Sequence, residues 1–319
     1  MLNRRLILRL TLTAATLGMV LYYVFHGRAL LNSDLKLQLQ WPWMGASVAS
    51  ALILFFGRAW KWQRLIQPLE PSVSFSDAVK SYLGGMPLAL VTPGRLGELS
   101  RCLFLPQKAL HTLTGAGRVV LDNWTDFLAV LIWSAVGMDL LWGWQGLVLG
   151  LSLAALFSQL GLWSQLLEKL LRLFPPLKGF TAKIQKEIPK LADLAMPDYL
   201  TVIGMGILLY GLEWLQLGFI LRFLGNHPAQ VFILGGLMAL ATLANSFQVT
   251  VAGIGVREGL AVLLLMKAGI DNRLALIAAF LQFVLNLMIP ALLGLAVKNQ
   301  SKVLMNEKKM PNRDGLVVK

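Results

Sequence analysis

The sequence predicts an all-α fold, a polytopic helical membrane protein of about eight transmembrane helices. Two observations lead to this class. The chain of 319 residues is 56% hydrophobic and only 14% charged, whereas soluble domains carry about a quarter charged residues. The charges are also absent from long stretches, since residues 140–167, 223–256 and 274–297 contain no Asp, Glu, Lys or Arg. Each stretch is long enough to cross a hydrocarbon core about 30 Å thick.

The helical spans follow from such stretches, because a backbone in lipid must satisfy its hydrogen bonds internally. The apolar stretch nearest the N-terminus, Leu6–Phe25, is interpreted as an uncleaved span and not as a signal peptide, because it is too long and no cleavage site follows it closely. Tryptophans cluster at the stretch ends, as in the aromatic belts of membrane proteins. The predicted spans are Leu6–Phe25, Trp41–Arg58, Val119–Met138, Gly146–Leu166, Tyr199–Leu221, Val231–Val251, a short Gly259–Met266 and Leu274–Val297.

Two segments do not fit simple spans. Ala78–Thr92 is apolar but short, and Gly84, Gly85 and Pro87 interrupt it. It is predicted to be a re-entrant hairpin, which must be shielded by protein or line a cavity. Leu243–Glu258 is interrupted in a similar way, so the fold is expected to contain one or two re-entrant or broken segments.

The domain organisation is predicted to be one transmembrane domain over residues 1–300. A first repeat covers about residues 1–166 and a second about 198–298. Between them, about 167–197, an amphipathic segment is interpreted as a connector at the membrane surface. Residues 299–319 form a polar, basic tail that is predicted to be cytoplasmic and disordered.

Basic residues predict the orientation of the chain in the inner (plasma) membrane, with both termini in the cytoplasm. Of the 29 Lys and Arg residues, 24 fall on the inner side if the N-terminus is inside. Such an excess marks the cytoplasmic side by the positive-inside rule. The net charge of +13 is therefore interpreted as an orientation signal, with attraction to anionic lipids as a second effect and no nucleic-acid partner. The five outer residues are Arg28, Lys36, Arg222, Lys267 and Arg273.

Cysteine and histidine usage argues against a disulfide or a metal centre. The chain has one cysteine, Cys102, and its three histidines share no helical spacing. A disulfide needs two cysteines, and cysteine-based metal sites need several. No metal and no cofactor are predicted, and Cys102 is interpreted as a small hydrophobic residue.

An internal repeat is suggested by two glycine-interrupted segments. Leu90–Leu105 and Gln248–Leu265 share Val-Thr followed by glycines, an arginine and a glutamate. Interrupted segments at matching positions of two repeats are typical of transport sites. The predicted topology makes the two repeats parallel, and they become inverted if Ala78–Thr92 crosses the bilayer. Chance similarity between apolar segments is the alternative.

The two segments resemble the signatures of a known family. Thr92-Pro93-Gly94-Arg95-Leu96-Gly97-Glu98 and Gly253-Ile254-Gly255-Val256-Arg257-Glu258-Gly259 look like those of the lysylphosphatidylglycerol synthase transmembrane-region family, which is also described as flippase-like. The resemblance covers roughly residues 5–300 and implies a lipid-translocating membrane domain without the soluble aminoacyl-transferring domain. In a third family feature Asn123, between Asp122 and Asp126, stands where an arginine is expected, so no role is carried over to that position.

Both motifs offer the groups that a lipid phosphate needs. Arg95 and Arg257 supply planar, bidentate guanidinium groups, and glycines allow close backbone approach at helix starts that favour anions. Glu98 and Glu258 could orient these arginines or meet a cationic headgroup. The alternative is that each Arg/Glu pair only anchors a helix end at the interface. The motif residues predicted to bind substrate are Pro93, Gly94, Arg95, Gly97, Glu98, Gly253, Gly255, Arg257 and Glu258.

Three further acids complete the predicted substrate site. Glu213 falls in mid-span, where an ionised group is costly unless it is paired. It is either protonated or directed toward a cation such as Arg95 or Arg257, in a proton-coupling role or a structural one. Asp122 and Asp126 share a helix face by their spacing of four, and either line the inner mouth or are exposed acids at a helix start.

The leading functional hypothesis is a flippase-like translocase, not an enzyme, that moves or presents a phospholipid or lipid-linked headgroup. The expected partner is a membrane lipid, an anionic phospholipid or a lipid carrier. A membrane-embedded lipid-modifying transferase is the alternative, but no DxD-type acid cluster, histidine base or nucleotide loop supports it. A third hypothesis is a non-catalytic scaffold for a lipid-synthase partner.

Overall fold

The computed structural model describes residues 39–107, 110–111, 113–158, 195–225, 231–245 and 256–297. These residues form helices and no strand, which confirms the all-α class for this part of the chain. The elements are α1 (Trp41–Ile66), α2 (Phe75–Val91), a 3₁₀ helix (Pro93–Phe104), α3 (Leu113–Trp142), α4 (Trp144–Ser158), α5 (Met196–Phe223), α6 (Val231–Asn245), α7 (Val256–Lys267) and α8 (Asn272–Phe283), which continues through a π-helical turn at Val284–Met288.

Four described helices are long and apolar enough to cross a membrane. They are Trp41–Ile66, Thr114–Asp139, Met196–Phe223 and Asn272–Val297. Their outward side chains include Leu52, Leu208 and Leu292, each more than half exposed, as lipid-facing residues are. The predicted span Leu6–Phe25, residues 159–194 with most of the connector, the tail and residues 246–255 lie outside the described residues. The count of eight spans and the two-fold repeat therefore stay predictions.

The predicted hairpin over Ala78–Thr92 is wrong in its position. This segment belongs to one continuous helix, α2, and the chain turns only at Thr92, after which the 3₁₀ helix packs back along α2. The glycines admit this close packing and do not break the helix. A Cβ atom on Gly84 would lie 2.5 Å from the ring of Phe104, and one on Gly85 would lie 2.8 Å from the Cβ of Arg101.

Local signals fix the starts of several helices. At α2, the hydroxyl of Ser74 accepts from the backbone N–H of Asp77, whose carboxylate accepts from the N–H of Ser74, a complete capping box. At α8, the carboxylate of Asp271 caps two backbone N–H groups. Proline stands in the first turn of both α1 and α5, where its missing N–H costs nothing.

The long helices pack around α5. Its buried side chains Trp214, Leu217 and Ile220 contribute to the largest apolar core, together with residues of α6, α7 and α8. The start of α1 meets the end of α5, where the N–H of Gln40 donates to the carbonyl of Phe223 at 3.0 Å. The two helices therefore run antiparallel, and the second half of α1 lies beside the middle of α5.

Amide side chains join α5 to α8 inside this packing. Gln216 and Asn286 exchange hydrogen bonds at 3.1 and 2.7 Å, and Gln282 donates to the backbone carbonyl of Glu213 at 2.9 Å. Asn286 belongs to the π-helical turn. In a lipid-surrounded bundle such interhelical bonds hold helices in register, and these fix the part of α5 that carries Glu213.

Candidate functional site

A cluster of charged side chains lies inside the bundle where α1, α3, α5 and the 3₁₀ helix meet. Ionised groups in such a place are costly unless they are paired, and they commonly mark functional sites in membrane proteins. We call this group the charge cluster. Its members are the cations Arg58, Lys61 and Arg101 and the acids Glu98, Asp122, Asp126 and Glu213.

Helical spacing places the charges of α1 and α3 opposite one another. Arg58 and Lys61 are three residues apart and share one face of α1, and Asp122 and Asp126 are four apart and share one face of α3. The same face of α1 carries Ser47, Ser50 and Leu54, which are buried in the bundle. Both predicted acids of α3 are therefore brought to the cations of α1 by ordinary helix packing.

Lys61 is the centre of the cluster. Its ammonium contacts Asp122 at 2.9 Å, also contacts Asp126, and donates to the backbone carbonyl of Asp122 at 3.2 Å. The ammonium therefore donates two hydrogen bonds, to Asp126 and to the backbone carbonyl of Asp122, and its contact with the Asp122 carboxylate is an ion pair. The side chain of Lys61 is only 1% exposed, and a charge so deeply buried is tolerated only because it is paired.

Arg101 approaches the same acid from the 3₁₀ helix. Its guanidinium contacts Asp122 at 2.7 Å and lies 4.3 Å from the ring centroid of Trp62, a cation–π distance. The backbone is held in place by Ser81 of α2, whose hydroxyl donates to the carbonyl of Arg101 at 2.6 Å. Gly85 leaves the room that this close approach needs.

One donor of Arg101 is left over. Its Nε atom is buried and has no hydrogen-bond partner among the described residues. A buried polar group without a partner is unfavourable by about 1–3 kcal/mol. An acceptor that enters the site would therefore find a donor already in position.

The second ion pair links α1 to α5. Arg58 contacts Glu213 at 2.5 Å, and their side chains are 17% and 10% exposed. The guanidinium also lies 5.6 Å from the ring centroid of Tyr210. Glu213 thus faces a cation inside the bundle, but that cation is Arg58, whereas the sequence had suggested Arg95 or Arg257.

The charge cluster surrounds a small cavity. The free volume is about 20 Å³, which is room for about one water molecule. The mixture of acids, cations and phenol groups makes it a polar cavity inside an apolar bundle. Its lining residues are Arg58, Lys61, Tyr82, Glu98, Arg101, Asp122, Asn123, Asp126 and Tyr210.

The predicted site residues are only partly assembled in the described structure. Glu98, Asp122, Asp126 and Glu213 come together in the charge cluster. Gly97 packs against α2, and its N–H donates to the hydroxyl of Thr92 at 2.6 Å. The remaining predicted residues are Pro93, Gly94 and Arg95 in the 3₁₀ helix and Arg257 and Glu258 in α7, described in their backbone only, and Gly253 and Gly255, outside the described residues.

Three central residues were not singled out from the sequence. Arg58, Lys61 and Arg101 were counted only as basic residues of the inner side, and the structure shows that they are largely or fully buried and paired with acids. The sequence does contain a pattern that could have identified two of them. Arg58 and Lys61 extend a long uncharged stretch at a spacing of three, the same one-face pattern that drew attention to the two aspartates of α3.

Comparison with known proteins adds one match. The sequence model of the family described as the lysylphosphatidylglycerol synthase TM region matches residues 6–294. No curated protein and no solved structure matches the chain. The family match covers most of the chain and all of the charge cluster.

Proposed function

This chain belongs to the lysylphosphatidylglycerol synthase transmembrane-region family, and from that premise we propose that it is a flippase-like lipid translocase. Membership of this family and the four long apolar helices make it a membrane protein. The proposed substrate is a phospholipid or lipid-linked headgroup that carries a phosphate, and the protein moves or presents this headgroup across the membrane.

The observation that supports the proposal is the charge cluster around the cavity. A lipid phosphate that leaves the membrane surface needs charge-assisted donors in place of water. Arg58, Lys61 and Arg101 line the cavity from two different elements, and the buried Nε of Arg101 has no hydrogen-bond partner in the part of the chain that the structure describes. Arg58 has five N–H donors, so it can bind a phosphate oxygen while it still contacts Glu213.

Headgroup binding requires the cavity to widen. The present free volume, about 20 Å³, is far smaller than a phosphodiester. The 3₁₀ helix is the element that we expect to move, because its hydrogen bonds are weaker than those of an α-helix and long 3₁₀ stretches are associated with hinges. Its movement would change the position of Arg101 and Glu98 together.

The transferase alternative receives no specific support from this geometry. A catalytic acid or base needs a proton-transfer role at a reacting group. Asp122, Asp126 and Glu213 are instead engaged with cations. The scaffold alternative, in which the chain serves a lipid-synthase partner, is compatible with translocation and adds a partner to it.

The test is lipid movement in liposomes that contain the full chain. Fluorescent phosphatidylglycerol is placed in both leaflets, and a membrane-impermeant quencher follows its redistribution. We expect wild type to be faster than protein-free liposomes and Lys61→Met to be at least tenfold slower than wild type. The matched control is Arg64→Met, which removes the same charge from an exposed position one turn away on α1.

The outcomes separate the proposal from a structural role. Equal rates for wild type and protein-free liposomes would overturn translocation. If Arg64→Met slows movement as much as Lys61→Met at matched protein amounts, the charge cluster is not the lipid site. Lys61→Arg keeps the charge in a different shape and should recover part of the rate.

A further inference from the structure

The charge cluster brings four acids close together among the residues that the structure describes, and a further buried cation, Arg118, lies one turn before Asp122 on α3. The four acids are Glu98, Asp122, Asp126 and Glu213, and the three cations are Arg58, Lys61 and Arg101. A lipid phosphate would bring one more negative charge into this water-poor place. Acidic groups that crowd into such a site do not all stay ionised, because like charges disfavour the charged form. Entry of a phosphate therefore favours proton uptake by one carboxylate.

Asp126 is the acid best placed to take that proton. Its side chain is 27% exposed, compared with 6% for Asp122 and 10% for Glu213. Asp126 also lines the cavity, where a water molecule can reach its carboxylate. Its ion pair is with Lys61, which it shares with Asp122, whereas Asp122 is also held by Arg101. Protonation of Asp126 thus gives up less ionic contact than protonation of Asp122.

The surroundings of Asp126 explain why proton uptake and phosphate binding would be linked. Three acceptor oxygens already surround the ammonium of Lys61, two from Asp122 and one from Asp126, so a phosphate that approaches it competes with these acceptors. A neutral carboxylic acid is displaced more easily than a carboxylate. The groups facing the same space are Arg58 and Lys61 on α1, Tyr82 on α2, Glu98 and Arg101 on the 3₁₀ helix, Asp122 and Asn123 on α3, and Tyr210 on α5. Glu213 on α5 adjoins this space through its ion pair with Arg58.

We propose that Asp126 takes up one proton when an anionic lipid phosphate enters the cavity, so that phosphate and proton bind together and cross together. This inference rests on the proposed lipid-translocating function. The carboxylate of Asp126 accepts a proton from water, and the N–H of Lys61 that it releases donates to a phosphate oxygen. No covalent bond of the lipid changes. One negative and one positive charge enter, so transport of a singly charged lipid is electroneutral and responds to a pH gradient.

Proton uptake is measured directly on the purified full chain in detergent. Short-chain dihexanoylphosphatidylglycerol is titrated by calorimetry in buffers of different ionisation enthalpy between pH 6 and 8, where its phosphodiester keeps one charge. We expect uptake of close to one proton, and an affinity that falls about tenfold per pH unit where Asp126 is ionised. Asp126→Asn should abolish both effects. The matched control is Asp139→Asn, an exposed aspartate on the same helix, which should behave as wild type.

A soluble headgroup identifies the source of the phosphate. Glycerophosphoglycerol carries the same phosphodiester without acyl chains. Proton uptake with the short-chain lipid alone supports a lipid ligand. Uptake with both compounds supports the proton site but overturns the statement that its ligand must be a lipid.

Several results would overturn the inference. If wild type binds the lipid without taking up a proton, lipid binding and proton uptake are not linked. If proton uptake survives Asp126→Asn but disappears in Glu213→Gln or Glu98→Gln, the proton binds to another acid. If Asp126→Asn fails to fold, the test uses liposomes that contain wild type and carry a pH gradient in one direction or the other. The same distribution of phosphatidylglycerol between the leaflets under both gradients would overturn the link between proton and lipid. Proton uptake on binding without any lipid movement would instead overturn translocation and leave the proton site intact.

Discussion

The pair Arg58–Glu213 allows a quantitative test of how the interior charges are held. We change Arg58 to Met, which keeps an unbranched apolar stem and removes the guanidinium. Glu213 then loses the cation that it contacts at 2.5 Å. Removal of one partner of a buried ion pair destabilises proteins by roughly 3–5 kcal/mol, because the other charge is left in the interior. Because both side chains are mostly buried, 17% and 10% exposed, we expect a value in this range.

The double variant Arg58→Met/Glu213→Leu removes both charges together. Replacement of a buried ion pair by apolar side chains is often neutral or stabilising. We therefore expect the double variant to regain most of the stability that Arg58→Met loses. Its lipid movement should stay impaired, because a cation that lines the cavity is still missing.

Cys102 provides the assay. It is the only cysteine of the chain, its side chain is buried, and burial raises the pKa of its thiol. Because the thiolate is the reactive form, a thiol-reactive dye should label the native protein slowly and the unfolded protein rapidly. With about 2 °C per kcal/mol for a chain of this size, Arg58→Met should lower the apparent unfolding temperature by roughly 6–10 °C.

The control for this experiment is Arg64→Met, at an exposed position of the same helix, which should change the unfolding temperature by no more than about 1 °C. The stability losses of Arg58→Met and Glu213→Leu are also measured singly. If the double variant loses as much stability as these two variants together, Arg58 and Glu213 do not interact and the reasoning is refuted. An unchanged Arg58→Met protein would refute it as well.

Two further predictions concern topology and packing. A cysteine introduced at Gln145 should be labelled from outside intact cells and one at Lys183 should not, and external labelling at Lys183 would reverse the predicted orientation. Gly97→Ala should lower stability by about 1–3 kcal/mol, because its Cβ would lie 2.1 Å from the backbone of Leu88, whereas Gly204→Ala, with nothing within 4 Å, should be neutral or stabilising. Equal unfolding temperatures for the two glycine variants, measured with the same dye, would contradict the packing of the 3₁₀ helix against α2.

The helices were predictable because span length and apolar composition are local properties. Trp41–Arg58 and Tyr199–Leu221 were predicted from apolar stretches with few charges, and the structure extends them to Trp41–Ile66 and Met196–Phe223. The hairpin was misplaced because glycine is compatible with two different structures. Gly84 and Gly85 could break a helix or admit a neighbour, and only the position of the 3₁₀ helix decides between these.

The charge cluster was only half predictable for a related reason. Asp122, Asp126 and Glu213 stood out because acids in apolar stretches are unusual. Their partners did not, because a basic residue near a span end is ordinary at the inner surface. Arg58 and Glu213 are 155 residues apart in the chain, and no local pattern joins them. Helix packing supplies the information that pairs them.

The burial of Arg58, Lys61 and Arg101 affects the count of basic residues on which the predicted orientation is based. Arg58, Lys61 and Arg101 belong to the 24 basic residues assigned to the inner side, but each is paired with an acid inside the bundle. A neutralised interior cation does not act as a flanking charge. Without these three, 21 basic residues remain on the predicted inner side against five on the outer side, so the predicted orientation does not depend on them.

Folding stability alone does not explain why the bundle contains the charge cluster. Apolar side chains of similar volume would hold α1, α3 and α5 together at least as well, because desolvation offsets much of the attraction in a buried ion pair. Six of the seven members of the charge cluster instead line one cavity, and the Nε of Arg101 has no partner among the described residues. Such an arrangement is suited to exchanging internal acceptors for an external one. An anionic headgroup is the acceptor that three convergent cations favour, and this favours a binding role for the cluster over a purely structural one.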